Sequence, residues 1–259
     1  MRLKLTIAYD GRPYNGWQSQ ACGNTVQDFL HRALEEVAKQ PLRLQGSGRT
    51  DTGVHAAGQT AHFDAPAGLS MNPFNWVPAL NTKLPAAIRV MACEETPADF
   101  HARFSAVGKI YHYRICTDPV LPPLLAGTAW HLPRLLDPAR LAEALALFRG
   151  THDFHAFAAY RGNETGDTDY VRTIHHADLD TLPDGYLIRY EGDGFLYKMV
   201  RLLTGAAVHA AQGRCTLDDL KNLLDQPPGL PFGKSSLCAP ADGLTLWQVL
   251  YPSPGTPGS

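Results

Sequence analysis

Apolar and polar residues alternate from Leu3 to Tyr9, placing Leu3, Leu5 and Ile7 on one face of a half-buried strand. Asp10-Gly11 opens a loop that runs to Asn24. Thr25 with Asp28 approximates a capping box. Val26, Phe29, Leu30, Ala33, Leu34 and Val37 then recur at helical spacing as one apolar stripe, closed by Pro41. Leu42 to Gln45 and Gln59 to Phe63 read as strands flanking a glycine-rich segment. Asn72 to Leu80 reads as a short helix, and Ile88 to Ala92 as a further strand. This order predicts an antiparallel or mixed sheet with helices on one face.

The second half has a similar order of elements without a sequence repeat. Lys109 to Cys116 is a predicted strand. Asp137, with Pro138 at the first helical position, caps a helix over Ala139 to Phe148 that Gly150 ends. Thr173 to Leu179 and Tyr186 to Tyr190 read as strands, and Phe195 to Ala211 as a long helix stopped by Gly213. Thr216 with Asp219 caps a last helix to Leu224, and Leu244 to Leu250 is a closing strand. The expected organisation is an α+β half over 1–104, a second over 105–252, and a Pro-, Gly- and Ser-rich disordered tail at 253–259.

A chain of 259 residues with 44% hydrophobic residues can build two such cores. No apolar stretch approaches the ~20 residues of a membrane span. Met1 to Asp10 lacks the basic-then-apolar order of a signal peptide, so a cytoplasmic protein away from membranes is expected. Five scattered cysteines with no C-x-x-C pair argue for reduced thiols rather than disulfides or a zinc knuckle. The net charge of −2 weighs mildly against a nucleic-acid partner. Local distribution tempers that objection. Between Arg103 and Arg114 the charged residues are Arg103, Lys109 and Arg114, with no carboxylate. Asp153, Glu164, Asp167, Asp169, Asp178, Asp180 and Asp184 gather negative charge elsewhere.

The glycine-rich segment holds the most concentrated chemistry. Gly46, Gly48, Gly53 and Gly58 bracket Arg49, Asp51 and His55. If Arg49 to Asp51 is extended, the two side chains share a face, and the guanidinium would keep the carboxylate ionised, as a covalent or electrostatic catalyst needs. The same residues also suit an ordinary turn, with the carboxylate bonded to its own backbone. Both readings are open on the residues alone. Tyr111 and Tyr113 alternate with His112 and Arg114, and on the residues alone this tyrosine face reads as core. His152-x-x-His155 with Asp153 invites a metal-dependent hydrolase, although two histidines three apart lack a third ligand at a telling spacing.

Gly48-Arg49-Thr50-Asp51-x-Gly53-Val54-His55 resembles the signature of the pseudouridine synthase A family. Other runs agree in order: Tyr9-Asp10-Gly11, Tyr14, Gly16-Trp17-Gln18-x-Gln20 and Thr25-Val26-Gln27. Further along come Phe100 to Ala106, Lys109-x-Tyr111-x-Tyr113, Arg172-Thr173-Ile174, Gly194 to Tyr197 with Met199-Val200-Arg201, and Ala239-Pro240-Ala241-x-Gly243-Leu244. The resemblance covers residues 3–252. Thr52, where alanine is more usual, and Leu202, where asparagine or isoleucine is common, depart from the pattern and bear only on local packing and RNA contacts.

The resemblance implies two ferredoxin-like α/β halves sharing an extended mixed, mainly antiparallel sheet, with helices on one face and a central active-site cleft. It implies conversion of uridine to pseudouridine at positions 38, 39 and 40 of the tRNA anticodon arm, without metal or cofactor. Asp51 would be the catalytic nucleophile. Tyr111 would stack on the target base, Arg49 would pair with Asp51 or steady the displaced stack, and Arg201 would hold Asp51 or a phosphate. A homodimer gripping one tRNA across both subunits is the implied assembly. A non-catalytic RNA-binding module and a family relative with another target range are the competing readings.

Overall fold

The structure is a computed structural model that describes the chain except residues 70, 134, 161–167, 226–236 and 253–259. The expected tail at 253–259 lies outside the described residues, as do Glu164 and Asp167. The chain divides into two compact α+β units, one of Met1–Val107 with the chain from Thr245 onward, the other of Gly108–Leu244. No helix among the described residues is long and apolar enough to cross a membrane.

In the first unit, β1 (Arg2–Tyr9) is followed by α1 (Val26–Ala38), β2 (Gln45–Gly46), β3 (His55–Asp64), α2 (Pro73–Asn81) and β4 (Ile88–Thr96). β1 lies between β3 and β4, antiparallel to both. Strict alternation buries Leu3, Leu5, Ile7 and Tyr9 on one face of β1. Leu3 sits beside Phe63 in register, and the Phe63 ring meets Trp76 of α2 edge-on at 4.9 Å, which sets the face that α2 covers. Each such fully buried large side chain is worth about 1.5–3 kcal/mol of apolar burial.

The entry to α1 is built as its residue types predict. Thr25 accepts from the Asp28 amide, and the Asp28 carboxylate accepts from the Thr25 amide. The two amides before Asp28 find partners in the preceding loop: Val26 donates to the Gly16 carbonyl at 3.1 Å and Gln27 to the Trp17 carbonyl at 3.0 Å. Donors that a helix leaves unsatisfied at its start thereby tie residues 16–17 to α1. β2 is shorter than expected because the Gln27 side-chain amide takes the Leu44 carbonyl, and Gly46 lies under the Trp17 indole, where a Cβ would come within 2.5 Å of Nε1.

The second unit contains β5 (Gly108–Cys116), β6 (Trp130–His131), α3 (Pro138–Leu147), β7 (Gly150–Asp153), β8 (Val171–Leu182), β9 (Gly185–Gly192), α4 (Met199–Ala211) and α5 (Leu217–Leu224). Its strands run β5-β9-β8-β7, each antiparallel to the next, and β6 adds a short parallel pairing to β5. Asp137 caps α3 through the Ala139 and Arg140 amides, and Thr216 with Asp219 forms the capping box of α5. α4 begins at Met199 rather than Phe195. Lys198 has φ +58, a left-handed conformation that a right-handed helix cannot include, so Phe195 to Tyr197 stand outside it.

The closing strand, β10 (Leu244–Leu250), corrects the expected division. From Thr245 it belongs to the first unit, not to a half spanning 105–252. It pairs parallel with β3, Thr245 with His55 and Leu246 with Ala56, on the edge that β2 covers only at Ala61 and His62. Gly58 permits this approach: a Cβ there would lie 2.5 Å from the Trp247 carbonyl oxygen.

Candidate active site

Asp51 lies in the segment between β2 and β3, half-buried, with Arg49 exposed two residues before it. The N-terminal loop holds this segment from one side. Trp17 donates its amide to the Thr50 carbonyl at 3.1 Å, and the Tyr9 phenol shares a 2.8 Å hydrogen bond with the Thr50 hydroxyl. Tyr9 is buried, which raises its pKa and keeps it a neutral phenol. Gly16 has φ +83 and passes so near that a Cβ would lie 2.6 Å from the Thr50 oxygen and 3.1 Å from the Asp51 carbonyl carbon. Gly11 sits equally tightly, its absent Cβ 2.0 Å from the Val54 oxygen. The Asp51 backbone carbonyl accepts the Val54 amide at 3.1 Å, closing a turn in which Gly53 takes φ +80.

Three glutamines complete the fastening. Ser47 donates to Gln59 Oε1 at 2.6 Å, and Gln59 Nε2 donates to the Gly48 carbonyl at 3.2 Å. Arg49 Nε donates to Gln18 Oε1 at 3.3 Å, Gln18 Nε2 to Gln27 Oε1 at 2.9 Å, and Gln27 Nε2 to the Leu44 carbonyl. Arg49 is therefore linked through side chains to α1. Buried polar groups paired in this way resist displacement, because each broken bond would strand a desolvated partner.

His55 is buried beside this segment. Its Nδ1 accepts the Gly11 amide at 3.3 Å and stands 3.3 Å from the Asp10 carboxylate. A nitrogen that accepts from Gly11 has no proton for Asp10, so in this tautomer the carboxylate contact is not a hydrogen bond. Asp10 is held below the usual carboxylate range by its hydrogen bonds to Arg12.

The other two expected residues belong to the second unit. Tyr111 on β5 is only 8% exposed, stands opposite Tyr190 of β9 in register, and meets the Phe195 ring edge-on at 5.1 Å. Phe195, left outside α4 by the left-handed Lys198, is thus a packing partner of Tyr111. Arg201 on α4 donates Nε to the Ala239 carbonyl at 2.7 Å, and its own carbonyl accepts the Ala239 amide at 3.0 Å. Tyr113 donates its hydroxyl to the Pro240 carbonyl at 2.8 Å. Arg201 and Tyr113 so pin the Ala239-Pro240 segment to α4 and β5.

The family model described as tRNA pseudouridine synthase matches residues 5–105 and 144–252, which include Asp51 and its fastenings. The chain belongs to the tRNA pseudouridine synthase family. That is a family of isomerases. The chain is 51% identical over 254 residues to the tRNA pseudouridine synthase A of Akkermansia muciniphila, covering 97% of this chain and 95% of the relative. It is 42% identical to that of Bacillus subtilis (97% and 99% covered) and 40% identical to that of Methylacidiphilum infernorum (96% and 95% covered).

For a tRNA pseudouridine synthase, the residues that sequence reasoning passed over are those that fasten the Asp51 segment: Tyr9, Thr50, Gln18, Gln27 and Gln59. Tyr9, Gln18 and Gln27 stood inside recognisable runs, whereas Gln59 carried no signal beyond its place in a strand. The run of basic residues between Arg103 and Arg114 also changes character. Arg114 is ion-paired with Asp184 at 2.8 Å, so its charge is locally balanced. The alternative metal centre finds other uses for its residues. His152 Nε2 bonds to the Arg149 carbonyl at 2.8 Å, the Asp153 carboxylate accepts the His155 amide, and the His155 ring packs on Tyr170. Among the described residues no three His, Cys, Asp or Glu side chains are grouped as metal ligands.

Proposed function

We propose that this protein converts uridine to pseudouridine at positions 38, 39 and 40 of the tRNA anticodon arm, with Asp51 as the catalytic nucleophile. The observation that carries this reading is the fixed, half-buried aspartate inside the stretch that matches the family. An aspartate whose own carbonyl takes the Val54 amide, and whose neighbour Thr50 is held by Trp17 and packed against Gly16, meets the demand for a pre-positioned nucleophile.

In the proposed reaction the N1–C1′ bond breaks, the base turns, and C5 bonds to C1′. The proton lost from C5 is balanced by one gained at N1, so atoms and electrons are conserved and no metal, cofactor or energy source is called for. Within a stem the uridine is flipped out first, at a cost of a few kcal/mol. Tyr111 stacks on the target base and acts in proton loss from C5. Arg49 steadies Asp51 or the displaced stack, and Arg201 holds Asp51 or a phosphate in addition to its bond to Ala239. A homodimer acting in the cytoplasm completes the proposal.

The test is tritium release from tRNA carrying 5-³H-uridine, with no cofactor added. The full-length protein is expected to release tritium. Asp51→Asn is expected to abolish release while still binding tRNA, since the amide keeps the shape and loses the nucleophile. Unchanged release by Asp51→Asn would sink the assignment. Mapping the modified positions on a tRNA panel tests the anticodon-arm specificity separately.

A further inference from the structure

The segment His101–Ser105 of the first unit is held as firmly as the Asp51 segment, although it lies outside any helix or strand. His101 Nδ1 accepts both the Arg103 amide at 3.1 Å and the Phe104 amide at 3.3 Å. Its Nε2, which must then carry the ring proton, donates to Gln45 Oε1 at 2.8 Å. The Ser105 amide donates to the His101 carbonyl, and the Ser105 hydroxyl accepts the His101 amide, both at 2.9 Å. Ala102, fully buried, donates its amide to His62 Nδ1 at 3.1 Å and accepts the Tyr251 hydroxyl at 2.6 Å.

This scaffold displays Arg103 and Phe104 to solvent, and Phe104 is 76% exposed. The Phe104 ring lies against His101 with centroids 4.3 Å apart, and the Arg103 guanidinium stands 5.6 Å from the Phe104 centroid. Arg43 is also exposed, and neither Arg43 nor Arg103 is ion-paired among the described residues. The pKa of His101 is lowered first by burial, then by Arg2, which is paired with Asp64, and by Arg103, with Arg43 acting in the same direction. A folded loop that uses seven hydrogen bonds to present an aromatic ring beside an arginine suits a ligand with both a π-face and phosphates.

We infer that Arg103 and Phe104, on the loop organised by His101, form an RNA-binding subsite in which an unpaired nucleobase stacks on Phe104 and its phosphates meet Arg103 and Arg43. The substrate named under Proposed function supplies this RNA, so the inference rests on that reading. His101 is a positioning residue here. Its ring fixes the two amides and backs the stacked aromatic without meeting the RNA.

Binding of a fluorescently labelled tRNA transcript to the full-length protein, read by anisotropy, tests the subsite without requiring turnover. Phe104→Ala is expected to weaken binding by about 5- to 100-fold, and Phe104→Trp to restore it, since any flat ring accepts a base. Arg103→Gln is expected to lower the salt dependence of binding by about one counterion. In the tritium assay the Phe104→Ala loss should appear in KM for tRNA and not in kcat, as for a contact made equally before and during reaction. Unchanged affinity and KM in Phe104→Ala would overturn the subsite. So would a Phe104→Ala variant whose tRNA affinity holds while its RNA-free sedimentation shifts, because the ring would then serve a second copy of the chain. If the wild type releases no tritium yet Phe104→Ala still weakens tRNA binding, the subsite stands and the proposed reaction falls.

Discussion

Replacing Gly16 by alanine separates the effect of misplacing the Asp51 segment from that of straining the backbone. At φ +83 an alanine costs about 1–2 kcal/mol relative to glycine. The new Cβ would also begin 2.6 Å from the Thr50 oxygen, and ordinary contact starts near 3.4 Å, so Thr50 and Asp51 must retreat by about 0.8 Å. A displacement on the order of 1 Å in a reacting group costs roughly 100-fold in rate. Gly68 provides the control. It has φ +94, and nothing lies within 4 Å of where its Cβ would be. Gly68→Ala should therefore lower the melting midpoint by about 2–8 °C through strain alone, with tritium release unchanged. Gly16→Ala should lower the midpoint at least as much and reduce kcat by roughly 30- to 100-fold, with tRNA affinity retained. Equal kcat in the two variants would refute the claim that Gly16 positions Asp51.

Two further expectations concern stability. His62 is 2% exposed, and burial, with help from His101 and Arg2, pushes its pKa down to about 4. Between pH 6.5 and 4 the unfolded chain takes up a proton at this residue that the folded chain does not, so stability falls as pH falls through that window. The loss reaches about 3 kcal/mol at its lower end. Urea midpoints at pH 7.5 and 4.5 should show the loss, and His62→Gln, which keeps an acceptor for the Ala102 amide, should flatten it. An equal pH slope in the variant would remove His62 from the account. Thr25→Ala breaks the capping box of α1 and should cost about 1 kcal/mol in chemical denaturation; no change would mean that the Gly16 and Trp17 carbonyls hold that helix end unaided.

What the sequence discloses here is mainly local. The capping pairs Thr25–Asp28 and Thr216–Asp219, the Asp137-Pro138 start of α3 and the alternation in β1 need only a few neighbouring residues to specify them, and each is built as read. The features that escaped depend on partners far away or on single torsions. Phe195 to Tyr197 continue an apolar run into α4, and only the left-handed Lys198 excludes them from it. β7 is four residues of Gly, Thr, His and Asp whose strand character comes from pairing with β8. At the candidate site, motif resemblance singled out Asp51. The bonds that fix its neighbours run from Tyr9 to Thr50 and from Gln59 to Ser47 and Gly48, and such polar contacts leave no periodic trace.

The parallel clasp of β10 on β3 also orders events during translation. His55 leaves the ribosome about 190 residues ahead of Thr245, an interval of roughly 10–40 s at about 5–20 residues per second. Throughout that time the strand that begins four residues after Asp51 has an unpaired edge at its start, while all of the second unit is being made. A chain released by a stalled ribosome before Thr245 carries the whole Asp51 motif without the strand that closes it. The strand that follows the Asp51 segment is therefore fully paired at its start only once the final strand has been made, near the end of synthesis.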